Sequence, residues 1–404
     1  MPVGSAVHAR TLALCESLSF RDWSGYYAVS AFEAHHDHEY NAIRNAAALI
    51  DVSPLFKYLI RGPDAAALVD RVITRPVSAM AVGQVYYTPW CDEHGKVIDD
   101  GTVTRVAEQT FRWTAADPSL RWIGDNAAGL RVEMEDISEK VAALALQGPT
   151  SAGVLSRSLD DNATLVGALK YFRMTRGTIA GVPVEVSRTG YTGDLGYEIW
   201  MPWDRAVEVW DALMANGHAF GIRPAGMLAL DVARIEAGLL LIDVDFHSSR
   251  KALLDTQVYS PYELGLGRLV AFDKGPFVGR EALRREQREG SPRRIVGLEI
   301  SWPAVERLYD AIGIAPQIST TASRVAVPVY TSGGKQVGRA TSTTWSPVLK
   351  RLIALATIDT AFASEGTILD FEFTIEAVRH RVAATVVKTP FFNPRRKTAT
   401  PPSL

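Results

Sequence analysis

The sequence predicts an α+β protein that ends in a β-barrel. Strand-like and helix-like hydrophobic patterns alternate up to about residue 255, and after a charged helix the apolar runs become short and are separated by glycine and serine. The chain has 404 residues, of which 47% are hydrophobic and 22% are charged, so it is long enough to bury two or three cores. We therefore expect α+β subdomains followed by a barrel.

Two stretches in the first part of the chain repeat one order of elements. An apolar strand that ends in Arg61-Gly-Pro63 precedes a helical run over 64–72, and another strand that ends in Gln147-Gly-Pro149 also precedes a helix. The echo is short, but it hints at duplicated α+β units.

Two further helices are expected before residue 255. Asp204 is a candidate N-cap, and apolar residues follow it at helical spacing until Gly217 closes the pattern. The second helix is expected from about Ala225 to Ala237, and Gly238 ends it.

The last third of the chain predicts the barrel. A charged helix is expected over 277–288, and the tail over 393–402 is expected to be a solvated end. Between them, five apolar runs have the length and the punctuation of strands, over 295–300, 326–330, 336–342, 352–358 and 380–387.

The segment from Ser187 to Trp200 predicts a recognition loop. Valines alternate in the strand before it, an extended pattern resumes at Tyr197, and three glycines lie in the connection: Gly190, Gly193 and Gly196. Glycine permits positive φ and close approach of backbone to a ligand, so this loop can fold tightly around a flat molecule. The alternative is an ordinary glycine-rich hairpin whose tyrosines lie in the core.

Three side chains of this loop suggest what the flat molecule is. Tyr191 can stack on a ring, as can Tyr197, and Glu198 can accept two hydrogen bonds from an amidine-like edge. A pterin or a guanine has such an edge.

A pair of carboxylates forms a second candidate centre. Asp99 and Asp100 follow a polar turn and precede the extended run from Thr102 to Arg105. Adjacent residues on a strand point to opposite faces, so only one of the two is expected to enter a cavity. The alternative is that both are solvated turn residues.

Composition argues against several classes of function. The formal net charge is −2, which gives no electrostatic footprint for nucleic acid or an anionic membrane, and no 18-residue apolar run is present. Cys15 and Cys91 are too few for a disulfide framework, and without a signal-like N-terminus we expect a cytoplasmic protein. The histidines over 35–39 are interpreted as a solvated helix face, so no metal site is expected.

Several motifs occur in one order along the chain: Ile50-Asp-Val-Ser53, Val97-Ile-Asp-Asp100, Leu146-Gln-Gly-Pro149, the loop described above, Asp231-Val-Ala-Arg-Ile-Glu-Ala-Gly238, Phe277-Val-Gly-Arg-Glu-Ala-Leu283 and Trp345-Ser-Pro347. Together they resemble the glycine-cleavage T-protein (aminomethyltransferase) family, and they span nearly the whole chain. Any one of them alone is a weak signal.

The resemblance implies an arrangement of domains and a cofactor. Residues 1–275 would form two α+β subdomains, with the second, roughly 52–140, inserted in the first. Residues 276–404 would form the C-terminal β-barrel. The three lobes would make a ring around a central tetrahydrofolate site.

The resemblance also implies site residues. Asp100 corresponds to the family's catalytic aspartate, and the folate-binding residues would be Tyr87, Thr102, Tyr191, Glu198 and Arg234. From the residues alone, Tyr87 also fits a core position, and Arg234 also fits a structural ion pair or a charge on the helix surface. No metal is implied.

The chain departs from the family pattern around the expected substrate side. Leu230 stands where the T-protein has a folate-associated arginine, and an apolar side chain lacks the donors of a guanidinium. Pro54 replaces a histidine, and the run from Ile242 to His247 is followed by an apparent insertion through Tyr259. These changes favour a relative that uses another one-carbon donor.

We therefore predict a transferase that moves a methyl or methylene group from a small methylated donor to N5 of tetrahydrofolate, as a folate-dependent demethylase would. The first alternative is the aminomethyltransferase of glycine cleavage, and an accessory subunit that docks on a lipoyl carrier protein is another. The last alternative is a folate-binding protein without catalysis. It is disfavoured because relatives of that type carry a Lys-Gly-Cys motif near 237–243, and this chain has no cysteine after Cys91.

Overall fold

A computed structural model describes residues 1–160 and 163–401 of the chain. Within these residues the α-helices are α1 (His8–Leu14), α2 (Asp37–Asn45), α3 (Ala65–Val72), α4 (Leu120–Asp125), α5 (Ser151–Ser158), α6 (Ala163–Ala168), α7 (Ala206–Gly217), α8 (Met227–Glu236), α9 (Arg280–Glu289) and α10 (Trp302–Asp310). None of the helices in this part of the chain is long and apolar enough to cross a bilayer.

The strands before the barrel are β1 (Ser19–Trp23), β2 (Tyr26–Ala31), β3 (Ala47–Asp51), β4 (Phe56–Arg61), β5 (Val85–Cys91), β6 (Val97–Ala107), β7 (Thr110–Ala115), β8 (Glu133–Asp136), β9 (Val141–Gln147), β10 (Met174–Ile179), β11 (Val182–Ser187), β12 (Gly196–Pro202) and β13 (Ile222–Pro224). The barrel strands are β14 (Arg293–Ile300), β15 (Val327–Tyr330), β16 (Gln336–Ser346), β17 (Arg351–Asp359), β18 (Ile368–Ile375) and β19 (Val378–Val387).

Two layers, each a β-sheet with helices packed against it, precede the barrel. The first is a six-stranded sheet in the order β10-β11-β12-β9-β3-β13, and α5 and α7 pack on one of its faces. The second is a five-stranded sheet in the order β5-β6-β7-β4-β8, against which α3 packs. All strands of the second sheet lie between β3 and β9 of the first in the chain, so the second layer is an insertion in the first.

The last six strands close a barrel in the order β14-β17-β16-β15-β18-β19. The predicted α+β fold with a C-terminal barrel is therefore confirmed, and five of the six strands coincide with the expected runs. Strand β18 is the one that the sequence did not predict. In it, Asp370 and Glu372 alternate with the buried Leu369 and Phe371. Charged residues at every second position made this half-buried strand look like a loop.

The repeated strand-Gly-Pro-helix motif has one geometry in both layers. Gly62 and Gly148 have φ angles of +126° and +120°. A Cβ on Gly62 would lie 2.6 Å from the carbonyl oxygen of Arg131, and one on Gly148 would lie 2.5 Å from that of Ala46. Only glycine fits such a turn, which explains why the echo in the sequence centres on it.

Three details differ from the sequence predictions. Helix α7 is capped by Arg205 and not by Asp204, because a 3₁₀ turn over Trp203–Arg205 comes first. Helix α8 begins after Gly226, two residues later than expected. The tail is not a free solvated end, because Arg188 donates hydrogen bonds to the carbonyl oxygens of residues 396, 397 and 399.

Candidate active site

The inserted sheet has one apolar face and one polar face. Trp90, Val103, Phe111 and Trp113 are fully buried and form part of the core that includes α3. The residues that alternate with them on β6 and β7 are polar and point the other way: Asp100, Thr102, Thr104, Arg112 and Thr114. This two-residue period sets the predicted Asp100 and Thr102 on the same side of the sheet.

The six-stranded sheet has the same division. Val184, Val186, Tyr197 and Ile199 are buried in the core beneath α5 and α7. The alternating residues on β11 and β12 point away from these helices: Glu185, Ser187, Glu198 and Trp200.

Arg112 shows that the two polar faces meet. From β7 it forms an ion pair with Glu185 on β11, and its guanidinium lies 4.3 Å from the ring centroid of Trp200 on β12. Asp100 and Glu198, which are 98 positions apart in the chain, therefore belong to one polar interior between the two sheets. We call this region the intersheet site, defined by Tyr87, Asp100, Arg112, Tyr191 and Glu198.

Asp100 and Tyr87 are hydrogen-bonded neighbours on β6 and β5. The Tyr87 hydroxyl donates to Asp100 Oδ2 over 2.5 Å, and both side chains remain partly accessible. Burial raises the pKa of Asp100 to about 6, although the hydrogen bond from Tyr87 opposes this rise. The carboxyl group can therefore exchange a proton near neutral pH.

Asp99 faces the other way, as the strand period predicts. It is fully buried, and its carboxylate accepts hydrogen bonds from the backbone N–H groups of Asp100 and Asp117 at 2.8 and 3.0 Å. Burial raises the pKa of Asp99 well above its usual value. The hydrogen bond from the Asp100 N–H group to Asp99 fixes the backbone at Asp100.

Glu198 lies opposite, on the six-stranded sheet. Its Oε2 accepts a hydrogen bond from the Thr189 hydroxyl over 2.5 Å, while Oε1 accepts none from the residues that the structure describes. Burial raises the pKa of Glu198, and the hydrogen bond from Thr189 and the charge of Arg112 act against this rise. One oxygen is thus oriented by the protein, and the other has no hydrogen-bond donor among the described residues.

The recognition loop requires glycines for a different reason from the one expected. A Cβ on Gly190 or Gly196 would lie 2.1 or 2.2 Å from Gln147 Oε1. Gln147 is fully buried and donates from Nε2 to the carbonyl oxygens of Thr189 and Tyr197, both at 3.2 Å. The loop therefore folds around the buried side chain of Gln147.

Tyr191 and Thr102 are both held by the protein. The Tyr191 hydroxyl donates to the carbonyl oxygen of Leu240, and burial raises its pKa. The charge of Asp100 contributes to that rise, so the two side chains lie close enough to interact electrostatically. Thr102 shares a short hydrogen bond with the Thr114 hydroxyl beside Asp100.

Arg234 is placed mainly as a structural residue. It is 1% exposed and donates to Asp231 Oδ1 at 3.0 Å, to Asp245 Oδ2 at 2.6 Å and to Ser342 Oγ at 2.8 Å. Because Ser342 lies on β16, this network fastens α8 to the barrel. The ion pair is with Asp231 and Asp245, not with the neighbouring Glu236, and it leaves Arg234 few donors for folate.

The histidine segment 35–39 also has a local explanation. Glu39 is buried and accepts hydrogen bonds from the backbone N–H groups of Phe32 and Gly226, both at 2.7 Å, while His38 contacts Glu33. Among the residues that the structure describes, no group of three or more His, Cys, Asp or Glu side chains could hold a metal ion.

Three contributors were missed from the sequence. Thr189 lies only nine positions from Glu198, but its hydrogen bond to that carboxylate depends on how the loop folds. Gln147 acts on the loop from more than 40 positions away, and no local pattern indicates this. Arg112 could have been found, because the alternation of β7 puts it on the face that carries Thr114.

Comparisons with known proteins agree with the fold described above. Residues 13–274 match the family model of the GCVT N-terminal domain, and residues 311–393 match that of the glycine cleavage T-protein C-terminal barrel domain. A solved structure, the glycine cleavage system aminomethyltransferase T from Bartonella henselae, shares the fold with a TM-score of 0.81. It is 22% identical, and the match covers 97% of this chain and 99% of that one.

Two curated relatives are similar along most of the chain. A trimethylamine-oxide aldolase from Ruegeria pomeroyi is 35% identical over 94% of this chain, which spans about half of that protein (46%). An aminomethyltransferase from Halothermothrix orenii is 34% identical over 87% of this chain and 90% of its own length. These matches confirm the resemblance, and the chain belongs to the glycine cleavage T-protein family.

Proposed function

We propose that this protein transfers a one-carbon unit from an amine donor to tetrahydrofolate. The observation that carries the proposal is the intersheet site itself. A carboxyl group that titrates near neutrality, Asp100, faces a carboxylate with one free oxygen, Glu198, across a polar interior. The coarser statement, that the chain is a one-carbon transferase, agrees with the names of its aminomethyltransferase relatives.

The side chains of the site fit a pterin. Glu198 Oε1 is available to accept from the amidine-like edge of such a ring, and Tyr87 and Tyr191 present half-buried aromatic faces. In this proposal Thr102 supports the ring from the sheet below it. Arg234 holds the helix behind Tyr191 and contributes to folate binding only indirectly.

Asp100 is the residue that we propose for catalysis. Its pKa of about 6 lets it hold or release a proton close to the reacting nitrogen, and its charge stabilises positive charge that develops there. Tetrahydrofolate supplies the nitrogen that accepts the carbon. Catalysis otherwise rests on positioning, because Tyr87 and Asp99 fix the Asp100 carboxyl group and its backbone.

The donor is the less determined part of the proposal. Most of the similar curated proteins are named aminomethyltransferase, which favours an aminomethyl donor on a lipoyl carrier protein over a methyl donor. A methylated small molecule, and thus a demethylase, is the second candidate. It is supported by the buried Leu230 in place of the family arginine and by the divergent segment 242–259.

A titration followed by product analysis tests both parts. Anaerobic tetrahydrofolate is titrated into the wild-type protein and into Glu198→Ala by calorimetry, and we expect saturable binding that the variant loses. Folded wild-type protein that binds no tetrahydrofolate would overturn the proposal. The wild type is then incubated with an aminomethyl-loaded lipoyl carrier or with methylated amines. Methylenetetrahydrofolate formed with the carrier supports the first donor, and 5-methyltetrahydrofolate formed from a methylated amine supports the second.

A further inference from the structure

Arg112 has a buried hydrogen-bond donor that the protein does not use. Its side chain is 6% exposed, and its Nη1 is engaged by Glu185. Its Nη2 is buried and has no hydrogen-bond partner among the residues that the structure describes. Leaving a buried donor without a hydrogen bond is destabilising, so such a group requires an explanation.

Two other buried arginines, Arg44 and Arg234, use both of their Nη atoms, although Arg188 also has an unpartnered buried donor, at Nε. Arg44 donates from Nη1 to Thr192 and from Nη2 to Glu236 and Ala233, and Arg234 also donates from both Nη atoms. A purely structural role for Arg112, bridging the two sheets through Glu185, would not explain why one end of its guanidinium is left free.

The position of the free donor relative to Glu198 follows from the strand register. Glu198 and Trp200 are alternate residues on one face of β12, opposite Ser187 and Glu185 on β11. The Arg112 guanidinium lies over Trp200. Glu198 is the next residue of β12 on the same face, so the guanidinium and the Glu198 carboxyl group are neighbours on that face. The two groups are close enough for each charge to affect the pKa of the other, yet no hydrogen bond joins them.

A free carboxylate oxygen next to a free guanidinium N–H complements one particular kind of ring edge. A 4-oxo-2-amino pyrimidine ring, as in a pterin, presents an acceptor at O4 followed by donors at N3 and at the 2-amino group. We propose that Arg112 Nη2 donates to the 4-oxo oxygen while Glu198 accepts from N3–H and the 2-amino group. Arg112 then contributes to specificity for 4-oxo over 4-amino pteridines, together with the N3–H contact of Glu198. This inference rests on the proposed function, since it assumes a pterin in the intersheet site.

The test compares two ligands and three variants. Affinities for tetrahydrofolate and for its 4-amino-4-deoxy analogue are measured by anaerobic calorimetry on wild type, Arg112→Met, Arg112→Lys and Glu185→Gln. Thermal unfolding is recorded for each protein. We expect wild type to prefer the 4-oxo ligand by at least about 10-fold, because a 4-amino group faces the Arg112 donor with another donor and its ring N3 has no hydrogen to donate to Glu198. Arg112→Met should lower tetrahydrofolate affinity by about 10-fold or more and reduce the preference by a similar factor, and the preference that remains is the part due to Glu198.

The other variants separate recognition from structure. Glu185→Gln removes the ion pair but leaves the Nη2 donor, so it should keep the preference even if it lowers the melting temperature. Arg112→Lys should restore part of the preference, since an ammonium also donates. A preference unchanged in folded Arg112→Met, or a wild type that binds both ligands equally, overturns this inference alone. A wild type that binds neither ligand overturns the proposed function as well.

Discussion

Tyr87 and Asp100, on adjacent strands of the inserted sheet, share a hydrogen bond of 2.5 Å in which the phenol donates to the carboxylate. The bond favours the charged form of Asp100, and burial favours the protonated form. Because burial has the larger effect, the pKa is about 6. Both protonation states are therefore accessible under ordinary conditions.

Replacing Asp100 with Asn should lower turnover by about 10²- to 10⁴-fold, the range typical of a lost acid–base group. Tetrahydrofolate affinity should change only a few-fold, because Asn keeps the size of the side chain. Steady-state rates and calorimetry on the same preparations check this. An Asn variant with wild-type turnover would remove Asp100 from the mechanism.

The pH dependence of turnover should follow the Asp100 carboxyl group. If its anion is the active form, the rate rises with pH through an inflection near 6 and then levels off. Tyr87→Phe removes a hydrogen bond that stabilises the anion, so the inflection should move to higher pH. A pH–rate profile for the two proteins is the measurement, and an inflection that Tyr87→Phe leaves in place would contradict the assignment.

Stability should respond to the same group. The folded pKa of Asp100 is raised above its unfolded value of ~3.9, so its favourable contribution to folding is complete below about pH 4 and is lost as pH rises through 6. At pH 7.5, Asp100→Asn should therefore be more stable than wild type by about 1–3 kcal/mol, and the gap should close towards pH 4. Denaturant unfolding at several pH values tests the sign, and a gap that widens on acidification would refute it.

The recognition loop should not tolerate a methyl group at Gly190. Its Cβ would lie 2.1 Å from Gln147 Oε1, so Gly190→Ala should destabilise the protein by about 1–3 kcal/mol. Gly167→Ala in α6 is the matched control, because its Cβ would meet no described atom outside its own helix backbone within 4 Å. In denaturant unfolding the control should be neutral or slightly stabilising. Equal effects of the two changes would show that the contact with Gln147 is unimportant.

The tail should stabilise the recognition loop through Arg396. This side chain forms a bidentate ion pair with the buried Asp194, with N–O distances of 2.6 and 2.8 Å. Arg396→Ala should therefore increase hydrogen exchange over 188–196, whereas Arg395→Ala, at an exposed neighbouring position, should not. Unchanged exchange in Arg396→Ala would mean that the loop is ordered without the tail.

Local patterns in the sequence were sufficient for the parts of the site that depend on strand alternation. The two-residue period separates Asp99 from Asp100 and places Glu198 opposite the apolar core residues of β12. The family motifs then lead to the proposal that these polar faces form the site. The barrel was predictable for a similar reason, since glycine and serine punctuate its strands.

Long-range contacts account for what could not be predicted. The packing of Gly190 and Gly196 on Gln147 joins residues more than 40 positions apart. The hydrogen bonds from Arg188 to the tail join residues about 210 positions apart. Nothing in the local sequence around Arg396 separates an ion-paired arginine from a solvated one. The alternation of β18 was overlooked because its outward positions carry carboxylates.

The glutamine at the centre of the recognition loop bears on the thermodynamics of binding. Gln147 supplies from within the protein the hydrogen bonds around which residues 189–197 are organised. The loop is therefore held in shape by the protein itself, and we expect that association does not have to order a mobile segment. An incoming ring would then meet a preorganised wall, and the entropy of binding would reflect the release of water and the immobilisation of the ligand itself.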